Sequence, residues 1–109
     1  MKIRSEVQKL ILEKALNGPF YLEELKEEVQ KLVKYRPSAA LSQNAIVLEN
    51  MGLIRRYKEG KKVKVELDVE RFLEEQVKVV KEALKMMFKA NPEKARDLVR
   101  KAIAEIFLE

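Results

Sequence analysis

Cysteine, histidine, threonine and tryptophan are all missing from the 109 residues. Without cysteine there is no disulfide frame, no thiolate zinc site and no thiol nucleophile. Without histidine the commonest metal ligand and the commonest general base near neutral pH are gone. Any catalysis would rest on carboxylates, Lys, Tyr, Ser or Arg. Only two aspartates exist, Asp68 and Asp97, and no Asp/Glu cluster follows an obvious cleft pattern. The chain is therefore expected to have no catalytic residues, no metal and no cofactor. A small nuclease built on paired carboxylates is the enzyme alternative. No run approaches the roughly 18 apolar residues of a membrane span. Charge interrupts every apolar stretch after Met1, so no signal peptide is expected either.

What is present is 47% hydrophobic and 38% charged, the composition of a globular chain with one core. Lys and Glu abound while Asn and Gln are few, the balance associated with hyperthermophile proteins. That balance speaks of habitat and not of activity. The formal net charge is +5, and its distribution says more than its size. Residues 1–33 carry six basic and six acidic groups, and residues 68–109 carry nine of each. Residues 34–67 carry eight basic groups against three acidic ones. The whole excess sits in Lys34, Arg36, Arg55, Arg56, Lys58, Lys61, Lys62 and Lys64, a central third suited to meeting an anion. The plainer alternative is a basic hairpin that only discourages edge-to-edge strand pairing.

Helical spacing of Ile3, Val7, Leu10, Ile11 and Ala15 predicts a first helix over 2–17, stopped by Asn17-Gly18-Pro19. Phe20 and Tyr21 read as a very short extended segment, and a second helix is expected at about 22–34. Its carboxylates Glu23, Glu24, Glu27 and Glu28 suit the positive end of the helix dipole better than a metal. Pro37 is expected to hold Arg36 extended, and Ser38 to cap a third helix that runs to Met51 and ends at Gly52. Leu41, Ala45 and Leu48 form its apolar stripe. The opposite side, with Ala39, Ser42, Gln43, Ile46 and Asn50, is almost uncharged. Short, neutral hydrogen-bonding groups let a helix enter a groove and bond base edges; packing against another part of the protein is the alternative use of such a side. Leu53–Leu67 alternates with period two and predicts a β-hairpin with its turn at Lys58-Glu59-Gly60-Lys61.

Residues 68–109 read as two more helices, restarted at Asn91-Pro92-Glu93. Val69, Phe72, Leu73, Gln76, Val80, Ala83, Leu84 and Met87 keep a near-heptad stripe, and Ala95, Leu98, Val99, Ala102, Ile103, Ile106 and Phe107 a second one. This is more apolar surface than a helical hairpin can bury by itself. A symmetric dimer is the commonest remedy, with Phe72, Val80, Met87, Leu98, Ile103, Ile106 and Phe107 as its interface. A monomer whose tail wraps its own N-terminal part is the alternative.

Three helices followed by a basic hairpin is the order of a winged helix-turn-helix. The stretch "SAALSQNAIVLENMGL" at Ser38–Leu53 resembles the recognition helix of archaeal and bacterial winged-helix regulators of the ArsR and PadR kinds, with Leu48-Glu49 and Gly52-Leu53 in the places those families use. The basic wing "IRRYKEGKKVKVEL" follows at once. Two positions depart from the pattern. Ala45 stands where a leucine is usual, and Gln43 where a basic residue is common. The metal-sensing cysteines and histidines of many ArsR-like proteins are absent.

The resemblance implies a mainly α fold with a small β-hairpin (α+β), with a winged helix-turn-helix at 1–67 and a C-terminal helical hairpin for dimerisation at 68–109. It implies double-stranded DNA as partner, a homodimer, and a cytoplasmic, nucleoid-associated regulator of transcription. Ser42, Gln43 and Asn44 would read bases, Gln43 being suited to adenine. Arg36, Ser38, Ala39, Ala40, Arg55, Arg56, Lys58, Lys61, Lys62 and Lys64 would meet the DNA backbone. A winged-helix subunit that binds only protein is the other reading, since a fold does not fix a function.

Overall fold

The computed structural model describes residues 5–34 and 36–108. The Ile3 position of the expected first helix lies outside them. Helix α1 spans Glu6–Leu16 and is capped by Ser5, whose Oγ accepts from the amides of Val7 and Gln8. Strand β1, Phe20–Tyr21, is the short extended piece expected from the sequence. The helix expected at 22–34 forms in two parts, a 3-10 turn at Leu22–Leu25 and then α2 at Lys26–Leu32.

Helix α3 spans Pro37–Asn50 and starts one residue before the expected Ser38 cap. Pro37 takes the first helical position, where its missing N–H is no loss. Arg36 becomes the N-cap residue, in the left-handed region with φ 49 and ψ 66 rather than extended. Strands β2 (Ile54–Glu59) and β3 (Lys62–Leu67) form the hairpin. Glu59 faces Lys62 across the two-residue loop Gly60-Lys61, one position later than the expected turn. Gly60, at φ 63, supplies the positive φ that this tight loop requires.

The sheet has three strands in the order β1-β3-β2, all antiparallel, with Phe20 opposite Val65 and Arg56 opposite Val65 from the other side. Period two puts Val65 inward, and it is fully buried. Around it pack Ile11 of α1, Val29 of α2, Leu48 of α3, and Leu53 and Ile54. The apolar stripe predicted for α3, Leu41, Ala45 and Leu48, is buried as expected. Ala45 has no exposed surface, so a small side chain stands where α3 meets the core.

Helix α4 (Val69–Ala90) is capped by Asp68, whose Oδ1 accepts from the Arg71 amide at 3.1 Å. Helix α5 (Pro92–Leu108) is capped by Asn91, whose Oδ1 accepts from the Lys94 amide at 3.0 Å. The chain divides into two compact units, the first ending at Leu73 and the second beginning at Glu74. Phe72, in the first turn of α4, is half-buried against the first unit's core. Within the second unit Ala95 of α5 is buried, at 3% exposed.

Candidate nucleic-acid interface

The exposed side of α3 is built as its sequence predicts. Ser38, Ser42, Gln43, Ile46 and Asn50 are exposed and Ala39 is half-buried. Asn44 is not part of this surface. It is half-buried, its Oδ1 accepts from Gln8 Nε2 at 3.0 Å, and its Nδ2 donates to the Ala40 carbonyl at 2.8 Å. One residue of helix turns a side chain by about 100°. That rotation carries the third expected base reader from the open face to the α1 side. Nothing near Asn44 in the sequence signals this, because Gln8 lies 36 positions away.

At the N-terminus of α3 the expected anion donors also separate. The Ala40 amide already donates to the Arg36 carbonyl at 3.0 Å, and the Ala40 side chain packs on the core. Ala40 thus has no amide to offer a phosphate. Ser38 is exposed in the first turn and keeps its place as a candidate. Arg36 is exposed beside it.

The wing's cations fall into three kinds. Arg56 is turned inward: its Nη2 donates to Glu49 Oε1 at 3.0 Å, and its backbone amide donates to Glu49 Oε2 at 3.2 Å. Its Nε is buried without a hydrogen-bond partner among the described residues. This arginine ties β2 to the end of α3 and is not poised for a phosphate, contrary to expectation. Arg55, Lys62 and Lys64 lie at the surface in pairs with Asp68 (3.4 Å), Glu23 (3.9 Å) and Glu59 (3.8 Å). Exposed pairs of this length are worth little and exchange readily for another anion. Lys58 and Lys61 are exposed, and no ion pair of theirs is seen among the described residues.

Tyr21 fastens the wing's tip to β1. Its hydroxyl donates to Glu59 Oε2 at 2.6 Å, and Lys62 Nζ stands 5.2 Å from its ring centre. The Glu59 hydrogen bond raises the Tyr21 pKa above 10.0, and the Glu59 charge adds to it. At the other end of the hairpin, the Arg71 amide holds the Asp68 carboxyl below its ordinary 3.8, with Arg55 adding to the effect. Tyr57 first and Asp68 second raise the Arg55 pKa.

These parts meet in a groove of about 250 Å³ lined by Leu22, Glu23, Lys26, Ser38, Leu41, Ser42, Lys61 and Val63. The groove brings the N-terminal half of α3 and the cationic wing tip to one side of the first unit. Gln43 is on the open face of the helix and not in the core. Among the described residues no group of three or more His, Cys, Asp or Glu could hold a metal ion. No helix among them is long and apolar enough to cross a membrane.

On the second unit the expected interface residues Val80, Met87, Leu98, Ile103, Ile106 and Phe107 are all exposed, Phe107 by 84%. So many large apolar side chains on two helices make a surface of the kind that marks an association site.

No family model matches the chain, and no curated protein matches it. The ArsR- or PadR-like expectation therefore goes no further than its coarser content, the winged helix. A solved structure described as the complex structure of hsRosR-S1 superposes with a TM-score of 0.56 at 21% identity. The match covers 97% of this chain and 96% of that one. At this level of identity the likeness shows the fold: an α+β winged helix followed by two C-terminal helices.

Proposed function

We propose that this protein is a DNA-binding regulator of transcription that acts as a homodimer in the cytoplasm. The observation that carries the reading is the groove that aligns Ser38 and Ser42 of α3 with Lys61 of the wing. In this reading α3 enters the major groove, where Ser42 and Gln43 meet base edges. Ser38, Ala39 and Arg36 lie by the phosphate at the helix N-terminus. Lys58 and Lys61 reach the backbone or minor groove first. Arg55, Lys62 and Lys64 join by exchanging their carboxylate partners for phosphates. The α4 and α5 surface holds a second copy, so that two recognition helices lie about 34 Å apart, one turn of the duplex. The hsRosR-S1 likeness supports the winged-helix fold on which this reading rests.

The test is a salt titration of binding to several duplexes of about 30 base pairs between roughly 50 and 200 mM salt. Lys61→Ala with Lys62→Ala weakens every duplex alike and lowers the salt slope by about 0.9 for each phosphate no longer neutralised. Gln43→Ala instead narrows the difference between duplexes. Equal losses from both variants on every duplex refute this division of labour.

One observation favours a second reading. Ile46 and Val47 on α3 are 40% and 42% exposed, which suits a helix that docks on another protein. A winged-helix subunit of transcription or replication machinery would bind its partner without competition from duplex DNA.

A further inference from the structure

Helix α4 carries a seam of unbroken 4-3-4-3 spacing, Leu73, Val77, Val80, Leu84 and Met87, the pattern that packs helices as a coiled coil. Leu73, Val77 and Val80 are each more than half exposed, whereas Glu75, about 200° round the helix, is 4% exposed. The face opposite the seam carries its charges in pairs along the helix, Glu75 with Lys78 and Glu82 with Lys85. The two charged residues that flank the seam on one edge are Glu74 and Lys81. The other edge carries Gln76 and Ala83, both neutral.

This asymmetry selects a direction. Two parallel copies would bring the charged edge of one helix against the neutral edge of the other, with Lys81 opposite the partner's Gln76. Two antiparallel copies bring like edges together. With Leu73 layered on the partner's Leu84 and Val77 on the partner's Val80, Glu74 falls beside the partner's Lys81, and Lys81 beside the partner's Glu74. Both pairs are then attractive, and the neutral edges meet without conflict. We infer that the second copy docks α4 against α4 in antiparallel sense, with the two-fold axis between Lys78 and Val79. The inference rests on the homodimer reading and adds its direction and register.

Sedimentation equilibrium of the full chain and its charge variants tests it. Glu74→Lys and Lys81→Glu each turn two attractions into two repulsions, so each raises the dimer dissociation constant by about tenfold. The double variant returns it to the parent value, and an equimolar mixture of the two single variants pairs as a heterodimer. Because the chain has no cysteine, engineered thiols give a second, independent measurement. Under mild oxidation Leu73→Cys mixed with Leu84→Cys yields a crosslinked dimer, while neither crosslinks alone. Crosslinking of Leu73→Cys by itself, or a dissociation constant that ignores both charge changes, overturns the antiparallel arrangement and leaves the homodimer standing. A parent protein that sediments as a monomer overturns both.

Discussion

Gln8 and Asn44 join α1 to α3 by a side-chain hydrogen bond of 3.0 Å, and Gln8 is only 9% exposed. A nearly buried amide stripped of its partner costs about 1–3 kcal/mol. Asn44→Ala is therefore expected to lower the first unit's stability by about that amount in urea unfolding. Gln43→Ala, one residue away on the exposed face, should stay within about 0.5 kcal/mol. Replacing both partners together by leucine should recover much of the loss, since no polar group is then left unmatched. Equal stabilities for Asn44→Ala and Gln43→Ala would remove Asn44 from its structural role and return it to the base-reading face.

This pair also marks where the sequence stops being legible. Period-3.6 spacing finds the apolar stripe of α3 because burial on one side of a helix is a local pattern. Leu41, Ala45 and Leu48 are accordingly buried where expected. Period two finds the wing for the same reason, and Val65 is its buried centre. What spacing does not carry is the choice of partner for a polar side chain. Asn44 meets Gln8 and Arg56 meets Glu49, and both contacts arise only once the helices and sheet have packed. Each removes a residue from the DNA-facing set in which composition alone places it. The start of α3 departs from expectation for a different reason. Ser38 has the better capping side chain, yet Pro37 fits the first helical position so well that the helix begins there, with Arg36 before it.

The Arg56–Glu49 contact gives the second prediction. Both side chains are about one-third exposed or less, and two hydrogen bonds join the residues. Glu49→Ala leaves the Arg56 guanidinium half-buried and unmatched, at a cost of about 1–2 kcal/mol after allowance for solvent. Arg56→Lys keeps the backbone bond to Glu49 and puts only the single Nη2 bond at stake, so it should cost less than Glu49→Ala. In DNA titrations Arg56→Ala should leave the salt slope near the parent value, in contrast to Lys61→Ala. A slope lowered equally by both would mean that Arg56 leaves Glu49 for a phosphate.

Tyr21 supplies a prediction in the alkaline range. Its phenol binds its proton more tightly in the folded protein, because the hydroxyl donates to Glu59. A folded pKa raised above the unfolded one contributes stability that is fully present below the ordinary value of 10.0 and is lost as pH rises through the raised value. The parent should exceed Tyr21→Phe in urea midpoint by a constant margin from neutral pH to about pH 9, with the margin closing above about pH 10. A margin that widens with alkalinity contradicts the hydrogen bond as drawn.

Asp68 acts with the opposite sign. The Arg71 amide and then Arg55 hold its carboxyl below 3.8, so the ionised form is favoured by folding. Its contribution is present above 3.8 and is lost as pH falls through the lowered folded value. Asn is also a good helix N-cap, so Asp68→Asn keeps an oxygen for the Arg71 amide while removing the titrating charge. The variant should therefore fold to the same helical content at neutral pH and show a flatter loss of stability below about pH 4 than the parent. Thermal unfolding followed by circular dichroism across that range decides it. Parallel acid curves for the two proteins would mean that the cap works through geometry alone and that its charge adds nothing.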